Sequence, residues 1–449
     1  MKKLLSFILS LSLLTVLGLT AVPSAAAYTL PTELTPQAAA AAVIFLGGNQ
    51  EEDIFLYEKD ADGVHAPAAL IRLMAGAYAL TQIKEKNINM DTTTGTYTLE
   101  MFNNHVAGTG VTPVGMEHGE TWKLRDLLTV SLIQTASDAA TTLAYTISGG
   151  VDEFVAGMNA LAKEIGCENT HFANITGLDS LSQYTTVRDV YRIMRYALTF
   201  PEFETMISEK QYAVQPTTGG QPYTIVNRVD MLRASTGYYY SPLKYGRTGL
   251  SEHEGWSLAT VASDSGYQYM VILLGSPVKT ADGVVGSHYT DTAALYRWAF
   301  RNFTYKTLLT DSEILAGVKV KHVWGKDSVN LVPESAFSTV IYNNVEAKDV
   351  IKKITLNQEV LKAPIEKGAV LGKVELIVNV DEKIGEVNLV ASENMRKSVL
   401  LAVLSGIGAV LGSGWLWLAI GIVVLVFGGY IAYAVWDAKR QRRRRRRRR

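Results

Sequence analysis

Apolar positions follow four different rules along this chain, and each rule predicts a different kind of element. From Leu4 to about Val22 the apolar run is continuous, behind Lys2 and Lys3 and ahead of Ser24-Ala25-Ala26-Ala27. From residue 28 to about 305, helical and strand spacings mix. Leu70 to Leu80 is small and apolar and predicts a buried helix opening just after Pro67, a favoured place for a helix start. Leu124 to Ala144 predicts another helix. Val151 to Ile165 carries Val155, Met158, Leu161, Ala162 and Ile165 at helical spacing and stops at Gly166. Ser257 to Ala262 and Tyr267 to Leu274 predict neighbouring strands, joined by a turn over Ser263 to Gly266, and Thr292 to Phe303 predicts a closing helix. The implied fold class is α/β in the α+β sense, with helices packed on an antiparallel sheet. From 310 to about 392 the period becomes two: Val318, Val320, His322 and Trp324 alternate with polar neighbours, as do Val374, Leu376, Val378 and Val380. That pattern predicts a small all-β domain of a size that can stand alone. Finally, Ser398 to Trp436 contains no charged residue.

The two apolar ends place the chain relative to a membrane. Residues 1–27 combine a positive start, an apolar stretch and small residues at a cut site, the pattern of a secretory signal; an uncleaved anchor is the alternative. Residues 414–436 are long enough to cross a bilayer core of about 30 Å. Trp415, Trp417, Tyr430, Tyr433 and Trp436 lie near the two ends of that span, where amphipathic rings favour the headgroup region. Lys439 and an arginine run follow, which by the positive-inside rule stay in the cytoplasm as a tail over 437–449 and face anionic lipid. The expectation is a single-pass protein of the cell membrane with residues 28–397 outside. Residues 398–413 are then an apolar lead-in that lies in the interface or extends the helix.

Composition sharpens this picture. The 449 residues are 48% apolar and only 19% charged, with a formal net charge of zero. Ten of the 43 lysines and arginines crowd into the last eleven residues, so the body is acidic, which argues against a nucleic-acid-binding core. One cysteine, Cys167, excludes an intramolecular disulfide framework and reads as a small packed residue rather than a reactive thiol. Seven histidines, none in an HExxH spacing, give no sign of a metal, and no cofactor is implied.

Several segments, in order, resemble the serine-type D-alanyl-D-alanine carboxypeptidases, the low-molecular-weight penicillin-binding proteins that trim peptidoglycan stem peptides. The carriers are Leu56-Tyr57-Glu58-Lys59-Asp60-Ala61-Asp62 with Ala66-Pro67-Ala68, then Leu127-Leu128 and Asp138-Ala139-Ala140. Thr170-His171-Phe172-Ala173-Asn174-Ile175-Thr176-Gly177-Leu178-Asp179 is the most specific match. Thr248-Gly249 follows, and Ala363-Pro364-Ile365 with Lys367-Gly368 and Gly372 resembles the family's accessory C-terminal domain. The resemblance covers roughly residues 30–395. It implies a penicillin-binding/β-lactamase-like domain over 28–305, a β domain over 310–392, and a stem peptide as partner.

The resemblance also implies three chemical motifs. SxxK at a helix start puts nucleophile and lysine base on one face, one turn apart. SxN relays a proton, and a KTG strand binds the substrate carboxylate. Two main-chain N–H groups stabilise the oxyanion. This chain departs from all three. It has Ala69-Leu70-Ile71-Arg72 for SxxK, Thr135-Ala136-Ser137 for SxN, and Arg247-Thr248-Gly249 for KTG. A methyl group cannot attack a carbonyl, and a guanidinium is never neutral enough to act as the base. Thr135, Ser131 and Ser137 have hydroxyls but no evident base, and His171 is expected to pack or hydrogen-bond. The chain is therefore expected to be a catalytically silent homologue, binding stem peptide or regulating cell-wall metabolism. An active enzyme with unconventional residues, or a structural partner in an envelope complex, are the rivals. For binding, Arg247, Thr248, Gly249 and Leu250 are the candidates, with oxyanion-type donors at Ala69 and Leu250. The alternative is that Arg247 pairs with Glu252 or Glu254 and the cleft is vestigial.

Overall fold

A computed structural model describes residue 28 and residues 30–48, 52–378 and 382–446. The signal segment expected at 1–27, Val380 and the last three arginines lie outside the described residues. The chain divides into two compact units. One comprises the residues up to Thr304 together with Val340–Asn343, the other Tyr305–Thr339 with the chain from Asn344 onwards.

The first unit is built on five strands: β1 (Ala40–Phe45), β2 (Ile54–Lys59), β3 (Leu243–Ser251), β4 (Gly255–Asp264) and β5 (Tyr267–Ser276). Their order is β2-β1-β5-β4-β3, antiparallel throughout. Strand β1 shows why both faces are covered. Ala40, Ala42 and Ile44 join one core while Ala41, Val43 and Phe45 join another, as successive side chains on a strand must. Helices α1 (Ile71–Glu85), α2 (Leu124–Ile133), α3 (Ser137–Ser148), α4 (Val151–Glu164) and α5 (Val187–Ala197) fill the first core. Helix α6 (Ser287–Asn302) lies on the second. Strand β3 is an edge of the sheet and runs past the start of α1.

Three predicted boundaries move. The single helix expected over Leu124 to Ala144 is two, because Gln134 is extended (φ −128, ψ 164) and its side-chain oxygen accepts from the Thr135 amide at 2.9 Å. The closing helix begins at Ser287, not Thr292, because its buried inner face opens with the polar Ser287 and His288, which hide the apolar period. The alternation through Val318 and Val320 ends at Lys321: His322 takes a left-handed φ of 66, and Trp324 is exposed.

The second unit holds a six-stranded sheet, ordered Ile351–Leu356, Val370–Val378, Glu382–Ala391, Ser328–Pro333, Ala316–Lys321, Val360–Lys362. The apolar lead-in forms a helix of its own, Val399–Leu411, followed by a helix over Gly414–Arg446. Its stretch Gly414–Arg440 is long and apolar enough to cross a membrane, by length and composition.

Buried His288 is expected to make the first unit sensitive to acid. It stacks on Trp256 with ring centroids 4.7 Å apart, and neither ring nitrogen has a hydrogen-bond partner among the described residues. Burial lowers its pKa from 6.5 to about 4. Between those values the unfolded chain takes up a proton that the folded chain refuses. Stability from this residue is thus complete above pH 6.5 and is lost as pH falls, by about 3 kcal/mol at pH 4. Urea unfolding of the parent and of His288→Phe from pH 7 to pH 4 is expected to show a shallower acid loss in the variant. Parallel curves would mean that His288 has no part in the acid sensitivity.

Candidate functional site

Three segments meet at the start of α1. After Pro67 the chain passes through Ala68 in a left-handed conformation (φ 47), which costs an alanine about 1 kcal/mol, and then makes one 3₁₀ turn into α1. Two glycines press on the next residue, Ala69. A Cβ placed on Gly249 of β3 would lie 2.3 Å from the Ala69 amide nitrogen, and one on Gly177 would lie 2.9 Å from Ala69 Cα. Only glycine permits main chain to approach main chain so closely, and Gly177 also needs it for its φ of 86.

Side-chain carboxylates and an amide hold these segments down. Asn174 Oδ1 accepts from the Thr176 and Gly177 amides at 3.1 and 2.8 Å, shaping the loop. Asp179 accepts from the Ser251 hydroxyl and the Glu252 amide, both at 2.8 Å, and so ties that loop to the end of β3. Glu254 accepts from the Ala66 amide at 3.0 Å and contacts His65 Nδ1 at 3.1 Å, tying the β3–β4 turn to the approach to α1. The backbone at Ala69 is enclosed on both sides.

Beneath it lie two arginines. Arg247, on β3, is 1% exposed; its Nε donates to Ala69 O at 3.1 Å and its Nη1 to Leu132 O at 3.0 Å. Glu254 is occupied with His65 and Ala66, and in place of the alternative pairing with Glu252 or Glu254 Arg247 bonds two carbonyls. Arg72, the second residue of α1 and one turn beyond Ala69, is also 1% exposed, and none of its three nitrogens has a partner among the described residues. The buried Asp138 carboxylate accepts the amides of Val114, Gly115, Met116 and Ala139 at 2.8–3.0 Å and acts on Arg72 through space. Burial pulls the Arg72 pKa down to about 10, with Asp138 opposing. Burial, then the charges of Arg72 and Arg228, pull Arg247 down to about 9. Both remain cations at neutral pH.

Comparison with known proteins places this arrangement. The family model described as D-alanyl-D-alanine carboxypeptidase matches residues 30–277, more than half of the chain, and that of the penicillin-binding protein 5 C-terminal domain matches residues 303–397. The chain belongs to the D-alanyl-D-alanine carboxypeptidase family. It is 25% identical to the D-alanyl-D-alanine carboxypeptidase DacF of Bacillus subtilis over 403 residues, covering 89% of this chain and 96% of that one. It is 26% identical to DacC of Escherichia coli over 76% of this chain and 81% of that one. The fold is shared with penicillin-binding protein 5 of Haemophilus influenzae, with a TM-score of 0.61, 22% identity and coverage of 82% and 99%. It is shared too with the carboxypeptidase DacD of Francisella tularensis, with a TM-score of 0.64, 20% identity and coverage of 85% and 99%.

Within this carboxypeptidase fold the remaining candidates divide. Thr248 is buried, and its hydroxyl donates inward to Ser257 O at 3.2 Å; Leu250 is about half exposed. Thr135 is half-buried with its hydroxyl on Gln134 Oε1 at 3.3 Å, and Ser137 is buried with a hydroxyl lacking a partner among the described residues. His171 Nδ1 donates to Ser182 O at 2.6 Å while the ring stacks on Tyr184. Burial and the neighbouring Asp189 push the Cys167 thiol pKa upward. Among the described residues no group of three His, Cys, Asp or Glu side chains is placed to hold a metal. Sequence reasoning missed the roles of Gly177, Asp179, Glu254 and His65, since a close approach to Ala69 and hydrogen bonds made across about 70 to 190 positions leave no local signal.

Proposed function

We propose that this protein is a catalytically silent member of the carboxypeptidase family that regulates peptidoglycan metabolism without hydrolysis. The observation that carries the proposal is Ala69: the helix start has no hydroxyl, and main chain from β3 and the 174–179 loop lies on its backbone. Arg72, a buried cation, stands one turn further on, where no neutral base is available to a neighbouring hydroxyl. Arg247 bears on the choice between non-hydrolytic roles. Holding a stem peptide by its terminal carboxylate needs an open guanidinium edge, and two of the three Arg247 nitrogens already donate to carbonyls. A regulatory role through protein partners needs no open cleft, and the geometry favours it over stem-peptide capture.

The apolar helix Gly414–Arg440 and the arginine-rich tail support a single-pass anchor, with the tail cytoplasmic against anionic lipid and the two folded units outside. Incubating the full-length protein in detergent with a fluorescent β-lactam is expected to give no covalent label, and a pentapeptide ending in D-Ala-D-Ala is expected to release no D-alanine. Calorimetry with that peptide is expected to give no binding heat. A mapped β-lactam adduct would refute silence, and a saturable heat lost in Arg247→Ala would restore stem-peptide binding.

A further inference from the structure

Arg72 and Arg247 form a charge cluster that the protein itself does not balance. Two guanidiniums, each 1% exposed, meet at one helical turn: Arg247 donates to the Ala69 carbonyl, and Arg72 follows three residues further along the chain. Four of their nitrogens are without hydrogen-bond partners among the described residues: Nε, Nη1 and Nη2 of Arg72 and Nη2 of Arg247. Buried polar atoms in folded proteins are almost always paired, and an unpaired buried cation is far costlier than an unpaired neutral group. Helix α3, which packs against α1, adds two more buried donors without partners, the hydroxyls of Ser137 and Thr141, one turn apart. Asp138 is the buried carboxylate acting on Arg72, and its oxygens are already engaged by four main-chain amides. Arg228, the other charge that acts on Arg247, is exposed and positive. Two buried cations against one buried anion leave one positive charge.

We propose that Arg72 and Arg247 bind a small monovalent anion of the size of chloride inside the first unit, where it completes the hydrogen bonding of both guanidiniums. The charge surplus sets its valence. Size follows from enclosure: Ala69, Thr248 and both arginines are buried, so a peptide or a sugar phosphate does not reach the nitrogens. The bound ion is a structural counter-ion, and the site stands whatever role the protein plays at the cell wall.

The test compares melting of the full-length protein in detergent, followed by tryptophan fluorescence, in sodium chloride, sodium bromide and sodium gluconate at one pH and one ionic strength. Gluconate is too large for the site. The expected result is a melting temperature higher by about 3 °C or more in either halide than in gluconate. Arg72→Met is expected to erase that difference and to melt in gluconate no lower than the parent, because it leaves one buried cation against one buried carboxylate. Arg247→Met serves as the second variant. Crystals grown in bromide are expected to show an anomalous peak within about 3.5 Å of an Arg72 nitrogen, a reading that needs no variant. Equal melting in halide and gluconate, a halide gain that survives Arg72→Met, or water in place of the peak would each overturn the anion site. A β-lactam adduct would overturn catalytic silence but leave the melting comparison standing.

Discussion

The double substitution Ala69→Ser with Arg72→Lys is expected to leave the protein unlabelled by a fluorescent β-lactam. It restores the two side chains whose absence is plainest in the sequence, and loss of a nucleophile alone typically removes on the order of 10⁶ in kcat. Restoring them does not restore the space around them. A carbonyl must reach the new hydroxyl, yet residue 69 is only 6% exposed, and the Gly249 main chain packs so closely that a Cβ on Gly249 would fall 2.3 Å from the residue 69 amide. Arg247 also clamps the carbonyl of the same residue at 3.1 Å, and the Thr135 hydroxyl is turned to Gln134. Misplacement by about 1 Å costs roughly 10²-fold, and a mispositioned base a further 10²–10⁴-fold. Acylation should therefore stay at least about 10⁴-fold below that of an intact family enzyme. Intact mass after one hour with excess β-lactam measures it; a stoichiometric adduct on position 69 would show that β3 lifts away from α1.

Asp138→Ala carries the largest expected loss of stability, about 4 kcal/mol. The carboxylate is fully buried, and its removal strands the amides of Val114, Gly115, Met116 and Ala139 together with the charge of Arg72. The two contributions separate in a double-mutant cycle. Arg72→Met removes the stranded charge but not the stranded amides, so the pair of substitutions should cost less than the sum of the singles by about 1–3 kcal/mol. Chemical unfolding of the four proteins measures this. A cost below about 1 kcal/mol for Asp138→Ala, or strict additivity, would mean that the carboxylate does not balance Arg72.

Elements whose burial is regular are legible in the order of amino acids alone. The apolar run from Tyr267 to Leu274 predicts β5, and the helical spacing from Val155 to Ile165 predicts α4 to within one residue of its end. Polar residues at buried positions are not legible in this way. Ser287 and His288 hide the first turn of α6, and Gln134, whose side chain replaces a helical acceptor, hides the break between α2 and α3. That break matters because it sets Thr135 and Ser137 at the junction of the two helices, with Leu132 just ahead of it bonded to Arg247.

By itself the sequence determined family, class and the absence of a hydroxyl at position 69. Side-chain identity is covalent, so Ala69 lacks an oxygen whatever the fold does, and hydrophobic period is a local property read within a few residues. Only the tertiary structure decided which way the two arginines face. A guanidinium beside a carboxylate in solvent and one sealed under a strand look alike in a string of letters. Their difference is set by what lies within hydrogen-bond reach, here the carbonyls of Ala69 and Leu132, 178 and 115 positions away from Arg247 in the chain.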